Sequence, residues 1–359
     1  MQDTFAFVIH PIDPKRDVAR KFPMLGKLLP VSAIHFFSTF FPPLYISHIT
    51  GVRSEATGKE IEGWFVACPY TPARMMSLPP EVVYRKIVQT GKLAQQLGAR
   101  ILGLGAFTSV VGDGGATVAQ RLDYPVTTGD SYTVAVALDA TLEAAHRMQV
   151  RLEDATAAVV GATGAIGSIC SRLLAQQVKR TLLIGRRPAA LAQLQQRITN
   201  KGQWAESYTN VAKLPEVDII IAVTSSLDTL IEPEHLKPGA VVCDVARPRD
   251  VSIQVAEQRN DVLVIEGGMV SVPGKVNFNF DFGFPPGLAY ACMAETMVLA
   301  LESRYENYTI GKNITTEQVE TVRSLATKHG FRLAGFRSFE RALTDAEIEQ
   351  IRQRARAKQ

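Results

Sequence analysis

The sequence predicts an α/β protein with a central doubly wound parallel sheet, an N-terminal α+β region before it and a C-terminal helical region after it. Three observations carry this expectation. Beyond Arg151, short apolar runs of strand length alternate with helical stretches, the pattern of a parallel sheet with crossover connections. The first of those runs ends in a glycine-spaced loop that opens a helix. The chain has 359 residues, and single cores stop growing near ~250 residues, so the flanking regions need cores of their own. With 46% hydrophobic and 21% charged residues it has ample apolar surface to bury, which excludes a disordered chain.

Taken in order, the chain first shows Asp3 and then Asp13 to Asp17 where a secretion signal needs a cationic start and an unbroken apolar run, so no export is expected. Leu28 to Val52 contains no Asp, Glu, Lys or Arg and is long enough to raise the question of a membrane span. Pro42 and Pro43 argue against one, because adjacent prolines remove helical hydrogen bonds in mid-segment. Two buried or interfacial elements joined at the prolines are expected instead, with ordinary core packing, the wall of a lipid pocket and a shallow peripheral membrane contact as open readings.

Ile61 to Tyr70 alternates as a strand, and Pro80 to Leu97 has helical spacing through Val83, Ile87 and Leu93. Gly98 to Gly115 reads as a glycine-rich loop, and Thr127, Thr128 and Gly129 precede a helix over Ser131 to Met148. The parallel sheet follows, with strands expected at Ala157–Ala162, Thr181–Arg186, Val217–Ser225, Ala240–Ala246 and Val262–Gly267. Helices are expected at Ile166–Gln177 and Ala189–Ile198. A phenylalanine-rich connection over Pro273 to Gly287 leads into a helix from Leu288 to Tyr305. Thr315, Thr316 and Glu317 start another, stopped by Gly330. Thr344 to Gln359 reads as a charged, solvated helical tail. The resulting division is 1–153 for substrate binding, 154–270 for a Rossmann-type domain, 271–335 for a helical region and 336–359 for the tail.

The loop at the end of the first strand is Gly161, Ala162, Thr163, Gly164, Ala165, Ile166 and Gly167. Gly161 permits a tight turn, Gly164 lets backbone amides approach a pyrophosphate, Gly167 allows close helix packing, and the helix N-terminus favours negative charge. The spacing is GxxGxxG, weak alone and strong between a strand and a helix. Where an NAD enzyme would offer an acidic residue to the ribose, this chain has Arg186 and Arg187, which suit a 2′-phosphate and favour NADPH over NADH. Thr224, at the end of the third expected strand, joins the cofactor-binding candidates.

Four cysteines lie far apart with no CxxC pair, and six histidines give no ligand spacing. No metal site and no disulfide framework are expected, and a reducing cytoplasm fits best. The net charge of +4, from 39 Lys plus Arg against 35 Asp plus Glu, lacks the dense basic stripe of a nucleic-acid binder and leaves an acidic partner open. Among the thiols, Cys292 sits in the first turn of its expected helix, where the dipole would lower its pKa. An activated cysteine is an acyl acceptor, whereas buried helical cysteines are commonly inert packing. Cys170 and Cys243 read as structural and Cys68 as a second candidate.

Several ordered motifs, covering about Phe5 to Gly335, resemble the long-chain acyl-(acyl-carrier-protein) reductases of the cyanobacterial alkane pathway. They are RDVARK from Arg16, Pro42-Pro43 leading to Ile49-Thr50, ATGKEIEG from Ala56, GAFTS from Gly105, TTG from Thr127, VVGATGAIGS from Val159, GG at Gly267, ACMAE from Ala291 and GKNIT from Gly311. The resemblance implies an NADPH-dependent enzyme that forms a thioester between a fatty acyl chain and a cysteine, then releases a fatty aldehyde. The family's nucleophile falls on Cys292. On this reading acyl carrier protein or CoA presents the chain, and an aldehyde-consuming enzyme is an expected downstream partner. Thr108, Ser109, Thr128 and Asn313 are candidate polar groups near the carbonyl, with turn or helix capping as their other reading. Leu28–Val52 and Phe278–Phe284 are where acyl-chain contacts are expected. Two other readings stand beside it: a shikimate-dehydrogenase-like NADP enzyme that reduces a small polar ketone without covalent catalysis, and an NADP-binding regulatory protein without turnover.

Overall fold

Apolar runs at the predicted spacing build two separate six-stranded sheets, each with its own hydrophobic core. The computed structural model describes residues 3–11, 13–226 and 228–358; Met1, Gln2, Ile12, Leu227 and Gln359 lie outside the described residues. The chain divides into two compact units. One comprises Met1–Tyr132 with Val270–Arg332, the other Thr133–Met269 with Leu333–Gln359. This division differs from the four consecutive stretches read from the sequence. The segment expected to form a C-terminal helical region joins the first unit, and the tail joins the second.

In the first unit the sheet order is Gly274–Asn277, Leu44–Arg53, Glu60–Ala67, Thr4–Ile9, Leu102–Leu104, Val126–Thr127. The last four strands run parallel, and Leu44–Arg53 is antiparallel to both of its neighbours. Phe5, Phe7, Phe65, Ile61 and Leu104 are fully buried on it, and each such side chain contributes roughly 1.5–3 kcal/mol relative to exposure. The stretch Gly98–Gly115, read as a loop, instead contains the strand Leu102–Leu104 and the helical turn Phe107–Val110. Gly103 and Gly105 lie against Phe7 and Gly112 against Tyr84, so these glycines admit neighbouring side chains. The apolar N-terminal passage forms the helices Pro23–Leu28 and Val31–Ser38 before Pro42-Pro43, and the strand Leu44–Arg53 after them. Among the described residues no helix is long and apolar enough to cross a membrane.

The second unit holds an all-parallel sheet in the order Leu263–Glu266, Val241–Asp244, Ile219–Ala222, Thr156–Val160, Arg180–Ile184, Ala205–Tyr208. In chain order this is 6-5-4-1-2-3, the doubly wound arrangement with its switch point between the first and fourth strands. Five strands match the runs read from the sequence within a few residues. The sixth, Ala205–Tyr208, is short and half polar and carries no apolar run to announce it. The predicted tail is the helix Asp345–Arg356, capped by Thr344 with Glu347 in a reciprocal capping box. It is not solvated throughout. Ile348 and Ala355, seven residues apart and therefore on one face, are buried, and Lys358 reaches Asp261 at 3.2 Å.

Candidate active site

The dinucleotide loop lies at the switch point. Gly161 has φ +92°, which favours glycine, and a Cβ there would meet the Val223 carbonyl at 2.7 Å. Its amide and that of Ala162 both donate to the Ile184 carbonyl, at 2.9 and 3.0 Å, fastening the turn to the neighbouring strand. A Cβ on Gly167 would overlap the Gly161 carbonyl, so the helix Ala165–Leu174 approaches the loop as closely as the three-glycine spacing demands. Thr163 and Gly164 complete the turn, the Gly164 amide donating back to the Gly161 carbonyl at 2.9 Å, and Ala165 and Ile166 open the helix. This cradle fits a pyrophosphate. Thr224 stands across the switch point, its amide and hydroxyl both donating to Asp250, at 2.9 and 2.5 Å. Arg186 is exposed, and Arg187 donates to the Thr163 carbonyl at 2.6 Å. One guanidinium is thereby held beside the loop while the other faces solvent.

The thiol is in the first unit. The helix predicted from Leu288 begins later, at Ala291, after a short strand Leu288–Tyr290, and ends at Leu301. Cys292 is its second residue. Of the four cysteines it is the one not fully buried. The backbone of Gly129 lies directly against it. Gly129 has φ +76°, and a Cβ there would overlap Cys292 Cα and Cβ. Gly129→Ala should therefore lower the melting temperature by about 4 °C or more, through both backbone strain and overlap. Gly202, at φ +83° with nothing within 4 Å, isolates the strain alone, and Gly202→Ala should cost visibly less.

Two carboxyl groups flank the thiol. Glu295, one helical turn beyond Cys292, is completely buried. It accepts from Thr127 Oγ1 at 2.5 Å, from Thr309 Oγ1 at 2.9 Å and from the Tyr132 amide at 2.8 Å, tying the Ala291–Leu301 helix to the segment 127–132 and to Thr309. Burial raises its pKa against those hydrogen bonds. Asp130, next to Gly129, is half-buried. Desolvation, then the Glu295 charge, lifts its carboxyl to about 7, opposed by a Thr128 hydroxyl.

The thiol itself contradicts the sequence expectation. The helix start was expected to lower its pKa, but desolvation, then the Asp130 charge and more weakly Glu295, pushes it up to about 12. Desolvation, reinforced by two nearby carboxyl groups, outweighs a dipole worth about 0.3–1 kcal/mol in most settings. Burial also raises Cys68, to about 11, and Cys243, to about 12. Exposure and neighbours, and not acidity, set Cys292 apart.

Of the polar candidates, Thr128 comes next to the thiol's neighbour Gly129, its amide and hydroxyl both directed at the Thr309 carbonyl at 3.0 Å. Thr108 and Ser109 are buried, and their hydroxyls donate to the Gly105 and Ala106 carbonyls of their own turn, at 2.8 and 2.7 Å. Asn313 is exposed on the loop leading to the Thr315 cap. Asp130 and Glu295 were not singled out from the sequence. Their signal was a lone acid inside the apolar run ACMAETMVLAL, and another directly after TTG.

An aromatic series ends at the same helix. Phe65 stacks on Phe278 with centroids 5.7 Å apart, and contacts continue through Phe282 and Phe284 to Tyr290, the residue capping the Cys292 helix, at 5.1, 5.4 and 4.8 Å. Phe282 and Phe284 remain half-buried, so the series offers an apolar surface as well as a core.

Comparison with known proteins matches residues 143–266 to the shikimate / quinate 5-dehydrogenase family. The chain is 29% identical over 335 residues to a long-chain acyl-[acyl-carrier-protein] reductase of Synechococcus elongatus, covering 89% of this chain and 95% of that protein. It is 32% identical over 286 residues to the aminotransferase PigE of a Serratia species, covering 77% of this chain but spanning only 33% of that longer protein. Among solved structures, dipicolinate synthase A chain from Bacillus subtilis matches 53% of this chain and 61% of its own, with 18% identity and a TM-score of 0.32. The match over residues 143–266 supports an NAD(P)-binding domain of oxidoreductase type in the second unit.

Proposed function

We propose that the chain is a fatty acyl thioester reductase: it accepts a long acyl group from acyl carrier protein, or from CoA, onto Cys292 and releases it as a fatty aldehyde at the expense of NADPH. The observation that carries this reading is the setting of Cys292, the one cysteine of four that is not fully buried, opening a helix beside Asp130 and at the end of an aromatic series. The similarity to the Synechococcus reductase, which spans both units, supports it. The match to the shikimate / quinate dehydrogenases stops at residue 266 and so does not reach the thiol.

A thiol held near 12 is not a standing thiolate at neutral pH, so its proton must leave as the bond to carbon forms. Asp130 supplies the acceptor: with a pKa of about 7 it is about half ionised at neutrality, and its carboxylate is basic enough to take a proton. Sulfur attacks the acyl carbonyl, the bond to the carrier's sulfur breaks, and the carrier leaves as a thiol with the proton passed through Asp130. The product is an acyl thioester on Cys292. NADPH, when bound, supplies the hydride that reduces this carbonyl. Cys292 departs as the leaving sulfur and takes up a proton from solvent, leaving free aldehyde. The Gly129 backbone packs directly against Cys292, and the acyl group's apolar tail has Phe278 to Tyr290 to lie against. The aldehyde is reactive, which fits transfer to an aldehyde-consuming enzyme.

An NADPH oxidation assay with aldehyde detection, run against acyl-carrier protein and acyl-CoA, tests the reading; one aldehyde per NADPH is expected, and NADPH consumption with neither thioester would refute it. The arginines carry a separate prediction. Arg186→Ala with Arg187→Ala should raise the KM for NADPH about tenfold or more while leaving that for NADH nearly unchanged. Equal changes for both would remove the arginines from 2′-phosphate recognition.

A further inference from the structure

The segment before Pro42 leaves several large apolar side chains uncovered. Met24 and Leu28 are both 74% exposed, Phe40 71% and Phe36 59%. Phe36 packs edge-on against Phe40 with ring centroids 5.5 Å apart, so the aromatic residues form one cluster turned outward. Met76 and Tyr45 are also exposed. A soluble surface rarely concentrates so many large apolar side chains without a partner.

Charge selects the partner. Between Asp17 and Glu55 the sequence has no acidic residue, while Arg20, Lys21, Lys27 and Arg53 are basic. Two further cations are bound to the aromatic segment itself: Arg74 donates to Thr39 Oγ1 at 3.0 Å and Lys86 to the Phe41 carbonyl at 2.9 Å. Two copies packed face to face through this patch would set cations against cations, which costs several kcal/mol when like charges are juxtaposed. An anionic lipid surface accepts both halves of the patch, apolar side chains below the headgroups and cations among them. The helices have six and eight residues, so they suit lying on a bilayer.

We infer that the face formed by Met24, Leu28, Phe36 and Phe40 with Arg74 and Lys86 is a docking surface for an anionic membrane. The full chain should float with phosphatidylcholine vesicles containing about 30% phosphatidylglycerol, float poorly with phosphatidylcholine alone, and be released by about 0.5 M salt. Phe36→Ser with Phe40→Ser should weaken partition about a hundredfold, and Arg74→Gln with Lys86→Gln about tenfold, both with unchanged melting temperature. Failure of the wild type to float overturns the inference, as does undiminished floating of the double Phe variant. If instead the Phe variant turns a wild-type dimer into a monomer, or loses a bound acyl-carrier protein without any change in vesicle binding, the face belongs to a protein partner and the inference is wrong. None of these readouts depends on the reductase reading.

Discussion

Cys292→Ala is expected to abolish aldehyde formation from acyl-carrier protein, by at least about 10³-fold in kcat, because the covalent route then has no acceptor. Dinucleotide binding, measured by fluorescence titration, should be unchanged, since the Gly161–Gly167 loop belongs to the other compact unit. Folding should also survive. Cys292 is not fully buried, and alanine removes one sulfur while keeping the backbone that Gly129 packs against. A direct reduction of a small ketone would be untouched by this substitution, so retained activity would transfer the chemistry to that reading. Cys68→Ala, Cys170→Ala and Cys243→Ala remove buried thiols and should cost stability more than turnover.

Asp130→Asn should lower the acylation rate by about 10²- to 10⁴-fold, the usual contribution of a positioned general base. It should also change the pH profile. In the wild type the base is available above about 7, so acylation rises with pH up to that value and then levels off. The variant has no such plateau, and its rate should keep climbing with the thiolate fraction of a thiol that burial still holds high. Stability should move the opposite way. The folded-state pKa of Asp130 is raised above its ordinary value, so the contribution of this group is fully present below about 4 and is lost as pH rises through about 7. Asparagine does not ionise. The variant should therefore melt about 2–4 °C higher than the wild type at pH 8 and no higher at pH 4. A variant that is slower but not stabilised at pH 8 would mean that Asp130 is not held protonation-poised by its surroundings.

Much of this was legible in the chain, and the illegible part has a physical pattern. The loop at Gly161 could be read because each glycine answers a local geometric need that falls within seven consecutive residues. The parallel strands could be read because burial on both faces leaves unbroken apolar runs, as in Ile219–Ala222. Ala205–Tyr208 escaped because a half-polar edge strand has no such run. The C-terminal helix was read as solvated because its charges dominate composition, while two apolar residues seven apart suffice to dock it. The thiol's acidity was misread for a different reason. Helix position is a local property visible in sequence, but Glu295 accepts from Thr127 and Tyr132, 168 and 163 residues away, and only the fold brings those groups together. Desolvation and the Asp130 charge then reverse what the local dipole would do.

The central claim is a covalent acyl enzyme on Cys292, and intact-protein mass measurement after incubation with acyl-carrier protein in the absence of NADPH tests it most directly. The mass of wild type should rise by one acyl group, localised by peptide mapping to the peptide containing Cys292, and addition of NADPH should discharge it as an equal amount of aldehyde. No adduct on wild type, or an equal adduct on Cys292→Ala, would contradict the account.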